Sequence, residues 1–392
     1  MGRIPSGRHF LQIPGPSNTP DRILRAMDRP VIDHRSADFA ELGSACLAGM
    51  KQIFQTAQPV IIYPSSGTGA WEAALVNTLS PGDRVLAYKA GQFATQWVKV
   101  AASLGLKLDL IEGDWRYGVD AGLVGEHLSE DRGHEIKAVL AVHNETSTGV
   151  TSDIAALRHA MDEAKHPALL MVDTISSIGS MAYGHDAVGA DVTVGASQKG
   201  MMLPPGLGFN AVSAKALAAS KQATLPRSYW RWDEMLAHNE RGFFPYTPAT
   251  NLLFGLREAI AMLAEEGLDN VFRRHDRFAE ATRRAVRAWD LEVFAQNPAE
   301  YSSVLTAVKM PEGFDEAALR AVILKKFNMS LGAGLGKVAG RVFRIGHLGD
   351  FNELMLAGTL AGVEMGLALA GVPHTKGGVA AALEYLTEQN RD

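Results

Sequence analysis

The chain has 392 residues, of which 47% are hydrophobic and 21% charged, with a formal net charge of −5. That length allows two or three domains around a sizeable core, and the mild acidity argues against a nucleic-acid or anionic-membrane partner. A single cysteine, Cys46, excludes disulfides within the chain and gives no reason to expect a thiolate metal site, so it reads as a small buried residue in a helical stretch.

In chain order, the opening "MGRIPSGRHFLQIPGPSNTP" has neither an apolar core of signal-peptide length nor transit-peptide character. The closing "LTEQNRD" carries no recognisable address, and no apolar run approaches membrane-spanning length, so a cytoplasmic protein is expected. "PVIIY" (59–63) predicts a short buried strand, followed by the turn Ser65-Ser66-Gly67-Thr68-Gly69 and the helix "AWEAALVNTL". Strands "RVLAY" (84–88) and "LKLDLI" (106–111) flank the helical "TQWVKVAASLG". "AVLAVH" (138–143), a helical "IAALRHAMDEA", "ALLMVD" (168–173) and "ADVTVGA" (190–196) continue the alternation. Continuous apolar strands separated by helices predict an α/β fold with a mostly parallel sheet covered on both faces.

Near residue 250 the pattern changes to a long helical periodicity, "LLFGLREAIAMLAEEGLDNVFRRHDRFAEATRRAVRAW", interrupted at Gly267. The cluster Arg273, Arg274 and Arg277 reads as a solvated helix face. Strand "SSVLTAVKM", helix "DEAALRAVILKKF", strand "RVFRIGH" and a last helix after Gly349 predict a smaller α+β unit.

Ligands in open α/β sheets bind beyond the carboxyl ends of the strands, where several unusual polar residues fall. The Ser66-Gly67-Thr68-Gly69 turn leads from a strand into a helix and suits a phosphate, although it is neither a P-loop nor a GxGxxG turn. Asp173 closes a buried strand, as a turn cap or as a functional acid. His143 reads equally as a base or as a packed ring, and Thr146 follows it in "HNETSTG". Lys199 lies in the nearly uncharged run "ASQKGMMLPPGLGF". Its stem either snorkels to the surface or is buried so that its amine becomes a nucleophile. Pyridoxal phosphate (PLP) chemistry needs the same parts: a lysine for the cofactor's aldehyde, a carboxylate for its pyridine nitrogen and an anion cradle.

"PGPSNTP", "SSGTGAWEAAL", "HNETSTGV", "VDTISSIG", "ASQKGMMLPPGLGF", "YTPATNLLFGLREA" and "FRIGH" follow one another over nearly the whole chain. In that order they resemble the class V aminotransferases of PLP fold type I, and within them the serine–glyoxylate and alanine–glyoxylate aminotransferase family, with aspartate–glyoxylate enzymes inside the same resemblance. The resemblance implies that Lys199 carries the cofactor, that Asp173 pairs with its pyridine nitrogen, and that Ser66, Gly67, Thr68 and Gln198 hold its phosphate. It further implies that Thr146 bonds a polar edge of the ring and that Phe93 stacks on it, in place of the Trp common in relatives, with Trp97 the weaker alternative. Arg344 is implied to bind the substrate α-carboxylate, Gly15 to leave room for the substrate, and Tyr246 and Thr247 to reach a neighbouring subunit's phosphate in a homodimer with shared sites. Without the resemblance, Arg344 reads as a surface arginine on a half-exposed strand.

The expected organisation is an N-terminal segment lining the active site (1–20), a large PLP-binding domain (21–250), connecting helices (251–290) and a small C-terminal α+β domain (291–392). No metal is expected. The implied reaction moves an amino group from serine, aspartate or alanine to glyoxylate. Rival readings are a phosphonate–pyruvate aminotransferase and a non-catalytic PLP-fold protein. A cysteine desulfurase fits poorly, since no cysteine follows Lys199 to accept sulfur. Arg35 and Arg8 are possible second cations for an aspartate side chain.

Overall fold

The structure is a computed structural model that describes residues 7–389, so residues 1–6 of the expected N-terminal segment and 390–392 at the C-terminus lie outside the described residues. The chain opens with strand β1 (Phe10–Gln12), helix α1 (Asp21–Met27) and helix α2 (Ala37–Phe54), then alternates β2 (Val60–Pro64), α3 (Gly67–Thr78), β3 (Arg84–Lys89), α4 (Gln92–Ser103), β4 (Lys107–Glu112), α5 (Ala121–Glu130) and β5 (Ile136–Val142). A two-rung hairpin, β6 (Asn144–Glu145) and β7 (Val150–Thr151), precedes α6 (Ile154–Glu163), β8 (Leu169–Asp173), β9 (Val192–Ala196) and β10 (Leu207–Val212). Helices α7 (Ala214–Ser220), α8 (Trp232–Asn239), α9 (Thr250–Glu266) and α10 (Leu268–Ala288) lead to β11 (Glu292–Val293), β12 (Leu305–Lys309), α11 (Glu316–Phe327), β13 (Met329–Leu331), β14 (Val342–Gly346), α12 (Glu353–Leu369) and α13 (Gly378–Gln389).

The main sheet has seven strands in the order β2-β10-β9-β8-β5-β3-β4. All run parallel except β10, which is antiparallel to both neighbours. The sequence reading leaves β10 out, because "LGFNAV" follows the Pro-Pro turn with no helix to separate it from β9. Alternation along each strand divides the core between the two faces. Val139 and Ala141 join one apolar cluster, and Ala138 and Leu140 the other; Ile62 and Ile61 divide in the same way.

The long helical stretch breaks where the sequence says it should. Gly267 separates α9 from α10 with φ +82°, a conformation that favours a residue without Cβ. Beyond it, β11, β12 and β14 form a separate three-stranded sheet packed on α10 to α13. The N-terminal strand β1 pairs in parallel with β13, and the chain then turns back toward the main sheet. Among the described residues, no helix is long and apolar enough to cross a membrane.

Candidate active site

The carboxyl ends of β2, β5, β8 and β9 converge on a cavity of about 260 Å³. Its wall includes Gly15, Ser66, Gly67, Thr68, Phe93, Thr146, Asp173, Gln198 and Lys199 from the sequence-predicted set. The sequence reading missed Trp71, Gln96, Asn144, Ile175 and Ser176 on the same wall. Asn144, Ile175 and Ser176 sit inside the motifs "HNETSTG" and "VDTISS", so motif membership is the signal that could have found them.

One end of the cavity is the start of α3. Ser66 occupies the N-cap position but its hydroxyl makes no capping bond, which leaves the first N–H groups of the helix without a side-chain acceptor. An anion fits there through those donors and the helix dipole. Gly67 is closely packed: a Cβ would stand 2.3 Å from Ile175 Cδ1, so that side chain would have to move. Gln198 also lies on this wall, where its side-chain amide N–H groups are donors suited to an anion, while its Oε1 is buried without a hydrogen-bond partner.

At the other end, Asp173 accepts from the Ile175 backbone N–H on Oδ1 at 2.7 Å and from Trp71 Nε1–H on Oδ2 at 3.0 Å. Burial pushes its carboxyl up to about 7, opposed by these two donors and by nearby Lys199, while buried Glu145 adds like-charge repulsion. The Ile175 bond is the turn cap, and the same carboxyl, bonded through Oδ2 to Trp71, belongs to a residue of the cavity wall.

Lys199 follows β9 in a turn fastened on itself by Met202 N–H to Lys199 O (2.9 Å) and Leu203 N–H to Ser197 O (3.1 Å). Met202 is held at φ +57° there, a local strain of the kind that clusters at functional sites. Part of the lysine side chain is open to the cavity, but its ammonium is desolvated. That burial, reinforced by the Arg344 charge and only partly offset by Asp173, lowers its pKa to about 8. Snorkelling to bulk solvent is therefore not what this lysine does. Its Nζ donates to Pro14 O at 2.7 Å, and Ser17 fixes the same N-terminal loop through N–H to Gln198 O (3.0 Å) and Oγ–H to Lys199 O (2.9 Å).

Phe93 faces the cavity from the start of α4, whereas Trp97 is buried one turn on and stacks against Trp71 at 5.8 Å. A residue not anticipated from sequence holds Phe93 in place. Glu145 Oε2 accepts from the Phe93 and Ala94 N–H groups at 3.0 and 3.1 Å, capping α4 from the β6–β7 hairpin. Burial raises the Glu145 pKa, while the Ser147 hydroxyl and the α4 donors favour its charged form. His143 is buried off the cavity, bonded to Ser177 Oγ at 2.8 Å, and burial lowers its pKa to about 4. A ring packed over a cofactor is thus not what the structure shows: His143 is a satisfied buried ring that packs on Tyr183, away from this cavity.

Arg344 is not a surface arginine, since every residue of β14 is buried. Its Nε donates to Ala333 O at 2.7 Å and Nη1 to Thr146 O at 2.8 Å, so two backbone carbonyls fix the guanidinium plane behind the cavity wall. Tyr246 and Thr247 lie off the wall of their own chain: Tyr246 stacks on Tyr229 at 4.6 Å, and Thr247 is exposed. Arg8 and Arg35 are also exposed and away from this cavity; Arg8 pairs loosely with Asp21 at 3.6 Å.

The class-V aminotransferase family pattern matches residues 9–341 of the chain. The serine–glyoxylate aminotransferase of Methylorubrum extorquens is 49% identical over 97% of this chain and 97% of its own length. The L-aspartate–glyoxylate aminotransferase of Paracoccus denitrificans is 47% identical over 95% of each chain. Among solved structures, the ureidoglycine–glyoxylate aminotransferase of Bacillus subtilis superposes with a TM-score of 0.91 at 25% identity, covering 98% of this chain and 99% of that one.

Proposed function

Because the chain belongs to the class-V aminotransferases, a PLP-dependent family, we propose that it transfers the amino group of a small L-amino acid to glyoxylate, giving glycine and a 2-keto acid. The carrying observation is the enclosure of Lys199 Nζ, Asp173 and the uncapped start of α3 around one cavity. Those residues fit PLP: the α3 donors and Gln198 suit its phosphate, Asp173 its pyridine N–H, and Phe93 the face of its ring. When bound, PLP supplies an electrophilic carbon and an electron-withdrawing ring.

The chain's own groups supply the rest. Lys199, with its pKa lowered to about 8, has an amine able to act as a nucleophile near neutral pH and then to move the proton that leaves the substrate Cα. Asp173 as an anion keeps the pyridine nitrogen protonated. The guanidinium of Arg344, with Nε and Nη1 tied to carbonyls, presents the rest of its fork to the substrate carboxylate. The loop at residues 13–17 covers Lys199 and excludes water from the amine. We read Tyr246 and Thr247 as serving the phosphate of a neighbouring subunit in a homodimer.

Among the described residues, Lys199 and Asp173 are the only charged ones on the wall, and Arg344 is the cation behind it. A donor with one carboxylate, serine or alanine, suits that balance; aspartate needs a further cation, which the described residues of this wall do not provide. The test is a panel of donors assayed against glyoxylate, pyruvate and 2-oxoglutarate at matched concentration. Glyoxylate, small and with an aldehyde more electrophilic than a ketone, is expected to be the best acceptor. A clear preference for 2-oxoglutarate would remove the enzyme from the glyoxylate group. Borohydride reduction of the loaded protein should label Lys199 alone, and labelling of another lysine would overturn its role.

A further inference from the structure

Asp173 is fixed by a residue that the reaction itself does not require. Trp71 sits one turn into α3, is 2% exposed, and gives its indole N–H to Asp173 Oδ2 at 3.0 Å. The Ile175 N–H holds the other oxygen at 2.7 Å, so the carboxylate is pinned at both oxygens and its plane cannot rotate. Trp71 is itself held by stacking on Trp97, at 5.8 Å between centroids and 12° between planes. The same helix starts with Gly67 and Thr68 at the anion end of the cavity. Four residues of helix, about 6 Å of rise, therefore separate the anion cradle from the anchor of the carboxylate.

We propose that Trp71 is a positioning residue for the cofactor: through its N–H it fixes the orientation and the anionic form of Asp173, and through α3 it sets the distance between the pyridine and phosphate ends of the site. This rests on the reading of Asp173 as the pyridine partner. The groups that face Asp173 divide by sign. Glu145 from the β6–β7 hairpin disfavours its charge, while Lys199 after β9, Ile175 N–H and Trp71 N–H favour it. Removing the indole donor takes away one of the few groups that oppose burial.

The structure contains its own control. Trp97 belongs to the same stack, but its Nε1 has no hydrogen-bond partner. Trp71→Phe and Trp97→Phe thus remove the same atoms from the same pair, and only the first removes a bond to Asp173. Titration of the apo-protein with PLP should show an affinity about tenfold weaker for Trp71→Phe, with the acid limb of binding moved to higher pH, and a change within twofold for Trp97→Phe. Equal behaviour of the two variants, whether both weakened or both unchanged, would overturn the proposal. A second measurement needs no Trp71 variant. With the chain's six tryptophans labelled at the indole nitrogen, one resonance of the wild-type apo-protein should titrate with Asp173 and stop doing so in Asp173→Asn. Absence of any such resonance would equally refute the bond. If Asp173→Asn binds PLP as tightly as the wild type, it is the pyridine-partner reading that fails; if Asp173→Asn is weak and Trp71→Phe matches Trp97→Phe, only the present proposal fails.

Discussion

Replacing Gly15 with Ala tests how closely the N-terminal loop and the lysine depend on each other. Gly15 lies at φ +116°, and a Cβ there would stand 2.3 Å from Lys199 Cδ and 2.5 Å from Nζ. Ordinary carbon contact is about 3.5 Å, so the lysine tail or the loop must shift by roughly 1 Å. The loop has little freedom to do so. Ser17 is bonded to Gln198 O at 3.0 Å and Lys199 O at 2.9 Å, and Ile13 O lies only 2.2 Å from where a Gly346 Cβ would be. The backbone conformation adds a cost of about 1–3 kcal/mol for a residue with a side chain. If the lysine yields, its Nζ leaves Pro14 O and the productive position, and a misplacement of roughly 1 Å lowers turnover by about 100-fold. The assay is capture of PLP by the apo-protein, followed by visible absorbance, together with steady-state turnover and the melting temperature. The variant is expected to fold with a Tm lowered by a few degrees, to capture PLP at least tenfold more slowly and to lose most turnover. Capture and turnover both within twofold of the parent would show that the loop does not press on the lysine and would refute the argument.

Covalent capture of PLP by the apo-protein should accelerate between about pH 7 and pH 8.5 and then level off, because Asp173 becomes an anion above about 7 and Lys199 a neutral amine above about 8. An ordinary lysine at 10.5 would have a neutral fraction about 300-fold smaller at pH 7, so a rate still rising tenfold per unit past pH 9 would contradict the lowered value. Arg344→Lys should raise KM for glyoxylate about tenfold or more, with a smaller effect on kcat, by losing the bidentate fork; an unchanged KM in steady-state assays would place the substrate carboxylate elsewhere. If the protein is a homodimer with shared sites, mixing inactive Lys199→Ala chains with inactive Tyr246→Ala chains should restore about a quarter of wild-type activity after full exchange, since half the dimers would be hybrids with one intact site each. No recovery after verified exchange would mean that each site is self-contained.

Local chemistry is written directly in the sequence, and there the reading and the structure meet. Strand-period apolar runs and the Gly267 break depend on few neighbours, so the parallel sheet is legible before any packing is known, while most of the cavity wall was named through the motifs that carry the family resemblance. The residues that escaped are those whose role is a partner far along the chain. Glu145 looks like one more polar loop residue until the hairpin brings it to the start of α4, where it caps the backbone of Phe93 at 3.0 Å. Trp71 is one more apolar residue of the helical "AWEAALVNTL" in the sequence, and only the fold aims its N–H at a carboxylate 102 residues away. β10 breaks the strand–helix alternation, since no helix separates it from β9, and only the fold inserts it antiparallel between β2 and β9.

What the sequence determined by itself is which candidate groups are present, an amine, a carboxylate and a small-residue turn in one order along the chain, and the roles proposed for them came from the family resemblance that order carries. What the tertiary structure decided is their state. Lys199 could have carried an ordinary ammonium to the surface; it has a pKa of about 8 because the 13–17 loop, the buried β9 turn and Arg344 on β14 meet around it. Arg344 likewise changes from a plausible surface residue into a fixed donor only when both faces of β14 are covered. Charge and orientation depend on desolvation by distant segments, and desolvation exists only once the chain has closed on itself.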